Sequence, residues 1–201
     1  MYNTEIFKDD IVYYTDTISE PQRLVKFIEE LDLDSRSHIA IPKWENWFAS
    51  NDESMQYGER KIMSPLAKTD DETLNRKLLY VYNSIYSAMW FCSKIYAEAR
   101  SIDLPGDKLS KTFPLNKYYT GKTMGPHVDA YNVDESNLKF SIVAYLNDDY
   151  EGGEISFPNQ NLTIKPKAGS LIIFPSGEPY YHESKEVLSG FKYMAPGFWF
   201  K

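Results

Sequence analysis

His127 and Asp129 are separated by one residue in the strand-rich half of the sequence, and together they could bind a metal ion. Side chains at positions i and i+2 of an extended segment point to the same face, so the imidazole and the carboxylate could reach one ion. His182 could supply a third ligand if its strand faced the first across a double sheet. Two imidazoles and one carboxylate on one face of an ion suit non-haem Fe(II) and leave three coordination positions open. We therefore predict an iron site formed by His127, Asp129 and His182.

These residue types do not by themselves decide the reaction. A His-x-Asp tripeptide falls at many strand ends by chance, so the isolated motif is weak evidence. A closed structural zinc site is disfavoured because its usual ligand sets need several cysteines, and the sequence has only Cys92. A zinc or manganese hydrolase or isomerase in a cupin-like barrel stays open, as does a jelly-roll binding module that has lost its reaction.

Two helices are predicted in the first half of the chain, and each follows a capping pattern. Ser19 and Gln22 form the first pattern, and Thr69 and Glu72 form the second, each followed by apolar residues at helical spacing. Between the helices, residues 39–65 show no lasting period. We predict that they form a long irregular loop, and loops of this length are often binding loops or lids.

Beyond residue 104 the pattern changes to short strand-forming runs separated by turn signals. The predicted strands are residues 113–119, 140–146, 154–157, 162–164, 170–174 and 192–200. Helices followed by many short strands predict an α+β fold with a double-stranded β-helix (jelly-roll) core and the N-terminal helices packed on one sheet. At 201 residues and 42% hydrophobic content we expect a single domain, residues 1–201, with helical support and a substrate loop in 1–103 and the catalytic core in 104–201.

Several spacings around the predicted ligands resemble the prolyl 4-hydroxylase-like branch of the iron(II)- and 2-oxoglutarate-dependent dioxygenases. In that branch a tyrosine precedes His-x-Asp by nine residues, and a basic residue follows the distal histidine by about ten. Here Tyr118 precedes His127 by nine residues and Lys192 follows His182 by ten. The resemblance covers about residues 104–200 and includes Tyr145-Leu146-Asn147, Gly152-Gly153-Glu154, Phe157-Pro158, Pro166-Lys167-Ala168-Gly169 and Leu171-Ile172-Ile173-Phe174.

The resemblance implies a dioxygenase that uses Fe(II), 2-oxoglutarate as co-substrate and O2, with L-ascorbate as a candidate reductant. It assigns Lys192 to the far carboxylate of 2-oxoglutarate, where a charge-assisted hydrogen bond would hold the anion. It also implies that Tyr118 and Tyr145 help to seat the co-substrate, because a phenol can donate to the same carboxylate. The implied reaction hydroxylates a prolyl residue in a peptide or protein and decarboxylates 2-oxoglutarate to succinate.

The loop predicted at residues 39–65 is the candidate substrate-binding region. Its side chains predicted to contact a proline-containing peptide are Trp44, Trp47, Tyr57 and Arg60, helped by the polar stretch from Tyr131 to Asn137. The two tryptophans could instead anchor the loop on the core. Hydroxylation of a free amino acid or another small molecule by the same site is the alternative function.

The charge balance and the single cysteine bear on partners and location. A formal net charge of −7, from 29 acidic and 22 basic residues, disfavours a broad basic surface for nucleic acid or an anionic membrane. No stretch approaches the ~20 apolar residues that span a bilayer, and the first residues lack a secretory pattern. Cys92 has apolar neighbours and is expected to be a buried thiol in a reducing compartment. We expect a cytoplasmic protein without nucleic-acid or membrane partners.

Overall fold

Two β-sheets face each other in this fold, and two α-helices cover the outer face of the larger sheet. The computed structural model describes residues 3–6, 10–33, 43–49, 52–104, 106–130 and 137–201. In these ranges the helices are α1 (Pro21–Leu33) and α2 (Glu72–Ala99), with a 3-10 turn at Pro158–Gln160. The strands are β1 (Asn3–Ile6), β2 (Val12–Thr15), β3 (Glu45–Ala49), β4 (Asp52–Met63), β5 (Phe113–Tyr119), β6 (Met124–His127), β7 (Leu138–Tyr145), β8 (Glu151–Gly152), β9 (Ile155–Phe157), β10 (Leu162–Ile164), β11 (Ser170–Pro175), β12 (His182–Ser184), β13 (Val187–Ser189) and β14 (Phe191–Phe200). Within the described ranges, no helix is both long and apolar enough to cross a membrane.

The larger sheet has the strand order β1-β2-β11-β7-β14-β5-β4-β3, and the smaller sheet has the order β10-β9-β12-β6. Strands β8 and β13 form a separate two-stranded ribbon. Neighbouring strands are antiparallel in both sheets. The predicted α+β fold, with a jelly-roll core and the helices on one sheet, is confirmed.

Strand β11 shows how the larger sheet buries both of its faces. Leu171 and Ile173 belong to the apolar cluster under the helices, whereas Ile172 and Phe174 belong to the cluster between the two sheets. Successive side chains of a strand point to opposite faces, so an uninterrupted apolar run is what a strand covered on both sides requires. The run of apolar residues in β11 therefore fixes its place in the middle of the fold.

The predicted helices are confirmed, but their capping patterns are not. Helix α2 is capped by Asp71, whose carboxylate accepts hydrogen bonds from the backbone N–H groups of Thr73 (2.7 Å) and Leu74 (3.1 Å). Thr69 lies outside the helix, and its hydroxyl accepts from the Asp71 N–H. Helix α1 begins at Pro21. The first N–H groups of a helix have no partner within it, so a proline, which lacks the N–H, loses no hydrogen bond there. Asparagine, aspartate, serine and threonine are all good caps, so the sequence offered several starting points close together.

The prediction of an irregular loop at residues 39–65 is wrong for the part that the structure describes. Strands β3 and β4 form an antiparallel pair there, and β4 continues the larger sheet through β5. Strand β4 was not recognised in the sequence because its buried residues are not all apolar. Lys61, for example, is 1% exposed and donates to the carbonyl oxygen of Ile28 at 3.1 Å. Residues 1–103 therefore supply strands β1 to β4 as well as the helices, in the same sheet as the C-terminal strands.

Cys92 lies in the core that α2 forms with the larger sheet. Its side chain is 1% exposed, and burial raises the pKa of the thiol to about 12. The prediction of a buried thiol is confirmed, and at neutral pH this thiol is protonated and unreactive.

Candidate metal centre

The predicted ligands meet between the two sheets, where β6 and β12 of the smaller sheet are neighbours. His127 and His182 are direct cross-strand partners, and their ring centroids are 4.3 Å apart. Asp129 follows β6, with Oδ1 at 3.8 Å from His127 Nε2 and Oδ2 at 3.7 Å from His182 Nε2. One ligand atom from each residue lies within 4.8 Å of the other two, which is close enough for one ion to contact all three.

Both imidazole rings are oriented by backbone carbonyl groups. Nδ1 of His127 lies 2.9 Å from the Gly125 carbonyl oxygen, and Nδ1 of His182 lies 3.2 Å from the Tyr180 carbonyl oxygen. When Nδ1 carries the proton and donates to these oxygens, the Nε2 lone pair of each ring is left for a metal. Burial lowers the pKa of His182 despite the neighbouring carboxylate, which favours the neutral form that binds metals.

Two serines that the sequence reasoning missed orient the carboxylate. Ser141 in β7 donates to Asp129 Oδ2 at 2.6 Å, and its Oγ lies 2.8 Å from Oγ of Ser176. Both serines are at most 2% exposed. The sequence does contain one signal for Ser141, which is a single hydroxyl within an apolar strand. A buried hydroxyl needs a polar partner, so such a serine indicates a nearby polar group.

Lys192 is a buried cation at another part of the same cavity. The residue is 1% exposed, and its Nζ donates to the Gly153 carbonyl oxygen (2.7 Å) and to Ser184 Oγ (2.8 Å). Ser184 lies two residues along β12 from His182, so the amine faces the strand that carries the distal ligand. Burial, and secondarily Lys165, lower the pKa of Lys192 to about 7. Within the described ranges no carboxylate forms an ion pair with it, and because the residue lines the cavity, an anion that entered the cavity could approach the amine.

The glycine pair of the Gly-Gly-Glu segment has a steric role beside this lysine. Gly152 and Gly153 have φ values of +68° and +65°, which favour glycine. A Cβ on Gly153 would lie 3.2 Å from Cδ of Lys192, and one on Gly152 would lie 2.2 Å from the Glu186 carbonyl oxygen. Asn147 bonds to the backbone on both sides of Lys192, donating to the Phe191 carbonyl oxygen (2.6 Å) and accepting from the Tyr193 N–H (2.8 Å). The matched segments therefore hold Lys192 in place.

Tyr118 and Tyr145 flank the lysine as neutral phenols. The Lys192 amine lies 5.2 Å from the ring centre of Tyr118 and 5.6 Å from that of Tyr145. Each tyrosine is 1% exposed, and burial raises the pKa of both phenols. The Tyr118 hydroxyl lies 3.8 Å from Sδ of Met124, a weak acceptor. Both tyrosines line the cavity, where an anion bound by Lys192 would meet them.

A cavity of about 180 Å³ joins these groups. The three candidate ligands, Lys192, Tyr118 and Tyr145 line it, and so do two of the predicted substrate residues, Trp47 and Arg60. Tyr57 is not among the lining residues but packs against Trp47, with ring centres 5.1 Å apart. The polar stretch predicted to contact the peptide falls almost entirely on residues 131–136, outside the described residues.

Trp44 does not line the cavity, unlike the predicted substrate residues Trp47 and Arg60. Its ring packs in the helix-side cluster against Tyr193, with centroids 6.2 Å apart, and the Lys61 amine lies 4.6 Å from it. Trp44 and Trp47 are three positions apart, and an odd separation along an extended chain places side chains on opposite faces. One tryptophan therefore packs in the helix-side cluster, and the other faces the cavity.

The donor set fits Fe(II), and the rest of the cavity fits 2-oxoglutarate. Two imidazoles and one carboxylate match the non-haem iron triad, and all three residues line the cavity, where an ion that they held would be open to further ligands. A dicarboxylate that reached from the ion toward Ser184 would supply the anion that the buried Lys192 amine lacks. We assign these residues as the ones that would hold the two groups, and the assignment stays a prediction.

Comparison with known proteins finds a family model that matches the C-terminal part of the chain. Residues 113–201 match the model of the 2OG-Fe(II) oxygenase superfamily. Human prolyl 3-hydroxylase 2 is 41% identical over 66 residues, which are 30% of this chain and 9% of that protein. A PKHD-type hydroxylase of Prochlorococcus marinus is 35% identical over 118 residues, 52% of each protein. The chain thus spans about half of one relative and less than a tenth of the other.

A solved structure agrees with the fold. The prolyl hydroxylase of Trichoplax adhaerens, in complex with a hypoxia inducible factor oxygen degradation domain peptide fragment, superposes with a TM-score of 0.67. The two sequences are 17% identical, and the superposition covers 96% of this chain and 84% of the other. At this identity the likeness establishes the shared architecture.

Proposed function

Because its residues 113–201 match the model of the 2OG-Fe(II) oxygenase superfamily, we propose that this protein is a 2-oxoglutarate-dependent dioxygenase that hydroxylates a prolyl residue in a peptide or protein. The observation that carries the proposal is one cavity lined by His127, Asp129 and His182 and by a buried lysine without an anionic partner among the described residues. A metal hydrolase in this cavity would leave Lys192 without a function, whereas a dicarboxylate co-substrate gives it one.

Each part of the cavity has a separate task in the proposed reaction. When bound, Fe(II) and 2-oxoglutarate supply the redox chemistry that couples O2 to decarboxylation of the co-substrate and hydroxylation of a C–H bond. The two histidines and Asp129 hold the ion on one face. Lys192 holds the far carboxylate of the co-substrate, and the two flanking tyrosines exclude water from it. These groups bind and orient, and none of them has to donate or accept a proton.

The prolyl substrate is proposed from two kinds of support. The spacings of Tyr118 and Lys192 relative to the histidines resemble those of prolyl 4-hydroxylase-like enzymes. The names of the human relative and the structural neighbour also denote prolyl hydroxylases, one of them bound to a peptide. The cavity lining includes the apolar residues Val143, Met194 and Pro196, which suit a pyrrolidine ring.

Succinate formation, followed by proton NMR under air with added Fe(II), tests the proposal. The purified protein is given 2-oxoglutarate with and without a library of peptides that share a central proline. We expect slow succinate formation alone and faster formation with some peptides, whose mass rises by one oxygen atom at the proline. Fragmentation and NMR of the product then distinguish hydroxylation at C3 from hydroxylation at C4.

Two variants control the assay. His127→Ala should abolish succinate formation, and Lys26→Met, which removes an amine from a side chain 72% exposed on α1, should not change it. If free amino acids but no peptide accelerate turnover, the substrate is a small molecule. If neither wild-type turnover nor 2-oxoglutarate binding is detected, the dioxygenase proposal fails as a whole.

A further inference from the structure

Arg60 and Asn116 are two polar cavity residues that the proposed chemistry does not use. They are direct cross-strand partners in β4 and β5, so their side chains lie on the same face. Both line the cavity. The cross-strand pairing places their Cβ atoms about 5 Å apart. They therefore form one polar patch on the β4 side of the cavity, next to Tyr118.

Both side chains contain buried polar atoms that lack hydrogen-bond partners within the described ranges. Arg60 Nε and Asn116 Oδ1 are such atoms. Asn116 is 2% exposed, and the other end of its amide donates only to Sδ of Met194, at 3.5 Å. A thioether sulfur is a weak acceptor, so the amide is poorly satisfied at both ends. Buried polar groups without partners are rare in native proteins and indicate a ligand or a function.

The pair offers one donor and one acceptor. A residue in an extended peptide presents its own N–H and C=O to the same side, as it does when it exchanges two hydrogen bonds in an antiparallel sheet. The carbonyl oxygen of such a residue can accept from the Arg60 guanidinium while its N–H donates to the Asn116 amide. Proline has no N–H, so the residue that binds here cannot be the hydroxylated one.

We propose that Arg60 and Asn116 form a binding site for the main chain of one extended, non-proline residue near the target proline of the substrate. This inference rests on the proposed function, because it requires a peptide in the cavity. It also specifies that function: the enzyme recognises the backbone of a neighbouring residue and tolerates changes in that residue's side chain. Trp47, which lines the same region, would pack against the docked segment.

The test uses the most active peptide of the proline library and the complete protein. A series of its analogues carries a single N-methyl group at each non-proline position in turn. We expect one position near the proline at which N-methylation raises the peptide KM at least tenfold, whereas an alanine side chain at that position changes KM less than threefold. Arg60→Met should also raise the peptide KM at least tenfold, with the affinity for 2-oxoglutarate unchanged.

A double comparison assigns the N–H contact to Asn116. In an Asn116→Leu variant the sensitive N-methyl group should add less than twofold to the KM, because its hydrogen bond is already lost. Glu59→Gln, on the other face of β4, is the matched control and should behave as wild type. The N-methyl series on the wild-type protein decides the question even if the Asn116 variant does not fold.

Two results would overturn the inference while leaving the proposed function intact. In one, peptides accelerate wild-type turnover but no single N-methyl position raises the KM. In the other, Arg60→Met or Asn116→Leu weakens the affinity for 2-oxoglutarate, which would assign the pair to the co-substrate. The absence of any peptide-stimulated turnover in the wild-type protein overturns the inference together with the prolyl substrate.

Discussion

Replacing Lys192 by methionine should have two opposite effects, because the buried amine is costly in the apoprotein and needed by the co-substrate. Burial lowers the pKa of this amine from 10.5 to about 7. At about 1.4 kcal/mol per pKa unit, confining it at neutral pH costs the apoprotein on the order of 5 kcal/mol. Its two neutral acceptors, Gly153 and Ser184, offset part of that cost. Methionine fills a similar volume without a charge, so we expect the free energy of unfolding to rise by about 1–3 kcal/mol.

The effect on 2-oxoglutarate has the opposite sign. A hydrogen bond to a charged group contributes about 1.5–3 kcal/mol, and each 1.4 kcal/mol is tenfold in affinity. Lys192→Met should therefore weaken 2-oxoglutarate binding by about 10- to 150-fold. Calorimetric titration of the metal-loaded protein without O2 measures the affinity, and urea unfolding of the apoprotein measures the stability. Lys26→Met, at an exposed site on α1, is the control for both measurements.

The combination of results separates a ligand-binding lysine from a structural one. If the lysine only supported the fold, its replacement would lower the free energy of unfolding. The folded fraction of the variant would still bind 2-oxoglutarate with unchanged affinity. If Lys192→Met is less stable than wild type and binds 2-oxoglutarate within twofold of it, the assignment of Lys192 as the anion-binding residue is refuted.

Three further predictions concern pH, the metal ligands and the tryptophans. Between about pH 7 and pH 10.5 the folded state lacks a proton at Lys192 that the unfolded chain holds, so this group should make apoprotein stability rise with pH. The slope is at most about 1.4 kcal/mol per pH unit, and urea titrations of wild type and Lys192→Met should differ by that slope. Ser141→Ala removes the hydrogen bond to Asp129 and should lower the metal affinity by about 10- to 100-fold, which competition with a chelating dye can measure. Ser170→Ala is the control, because the Ser170 hydroxyl donates to the Lys167 carbonyl oxygen, and it should leave the metal affinity unchanged. Trp47→Ala should raise the peptide KM. Trp44→Ala should leave that KM unchanged and lower the free energy of unfolding by about 1–3 kcal/mol. Steady-state kinetics measures the KM, and urea unfolding measures the stability.

The candidate ligands could be predicted because their chemistry is carried by residue identity and spacing. Histidine is rare in this sequence, with three residues, and His127 and His182 stand at distinctive separations from Asp129 and Lys192. The strands that carry the histidines were not predicted as strands, since β6 (Met124–His127) contains glycine and proline and β12 (His182–Ser184) has only three residues. Their pairing is set by the packing of the two sheets, which leaves little local trace in the sequence.

The groups that support the site could not be predicted, because their roles arise from pairing between distant strands. Ser141 reaches Asp129 only because β7 lies across the cavity from the end of β6. Asn116 acquires its neighbour Arg60 from the register of β4 on β5. The wrong prediction for residues 39–65 also affected the two tryptophans. Because no strand was predicted there, the odd separation of Trp44 and Trp47 could not be used to assign them to opposite faces.

The two buried lysines of the larger sheet show what decides whether such a residue binds a ligand. Lys61 and Lys192 are both 1% exposed, both lie in strands, and both donate to a backbone carbonyl oxygen. Lys61 faces the helix-side core, where its amine lies 4.6 Å from the ring centre of Trp44 and donates to the Ile28 carbonyl oxygen. Lys192 faces the cavity, where its amine lies beside Ser184 on the strand of the distal histidine. If facing the cavity is the deciding property, Lys61→Met should leave 2-oxoglutarate affinity within twofold of wild type, whereas Lys192→Met should not.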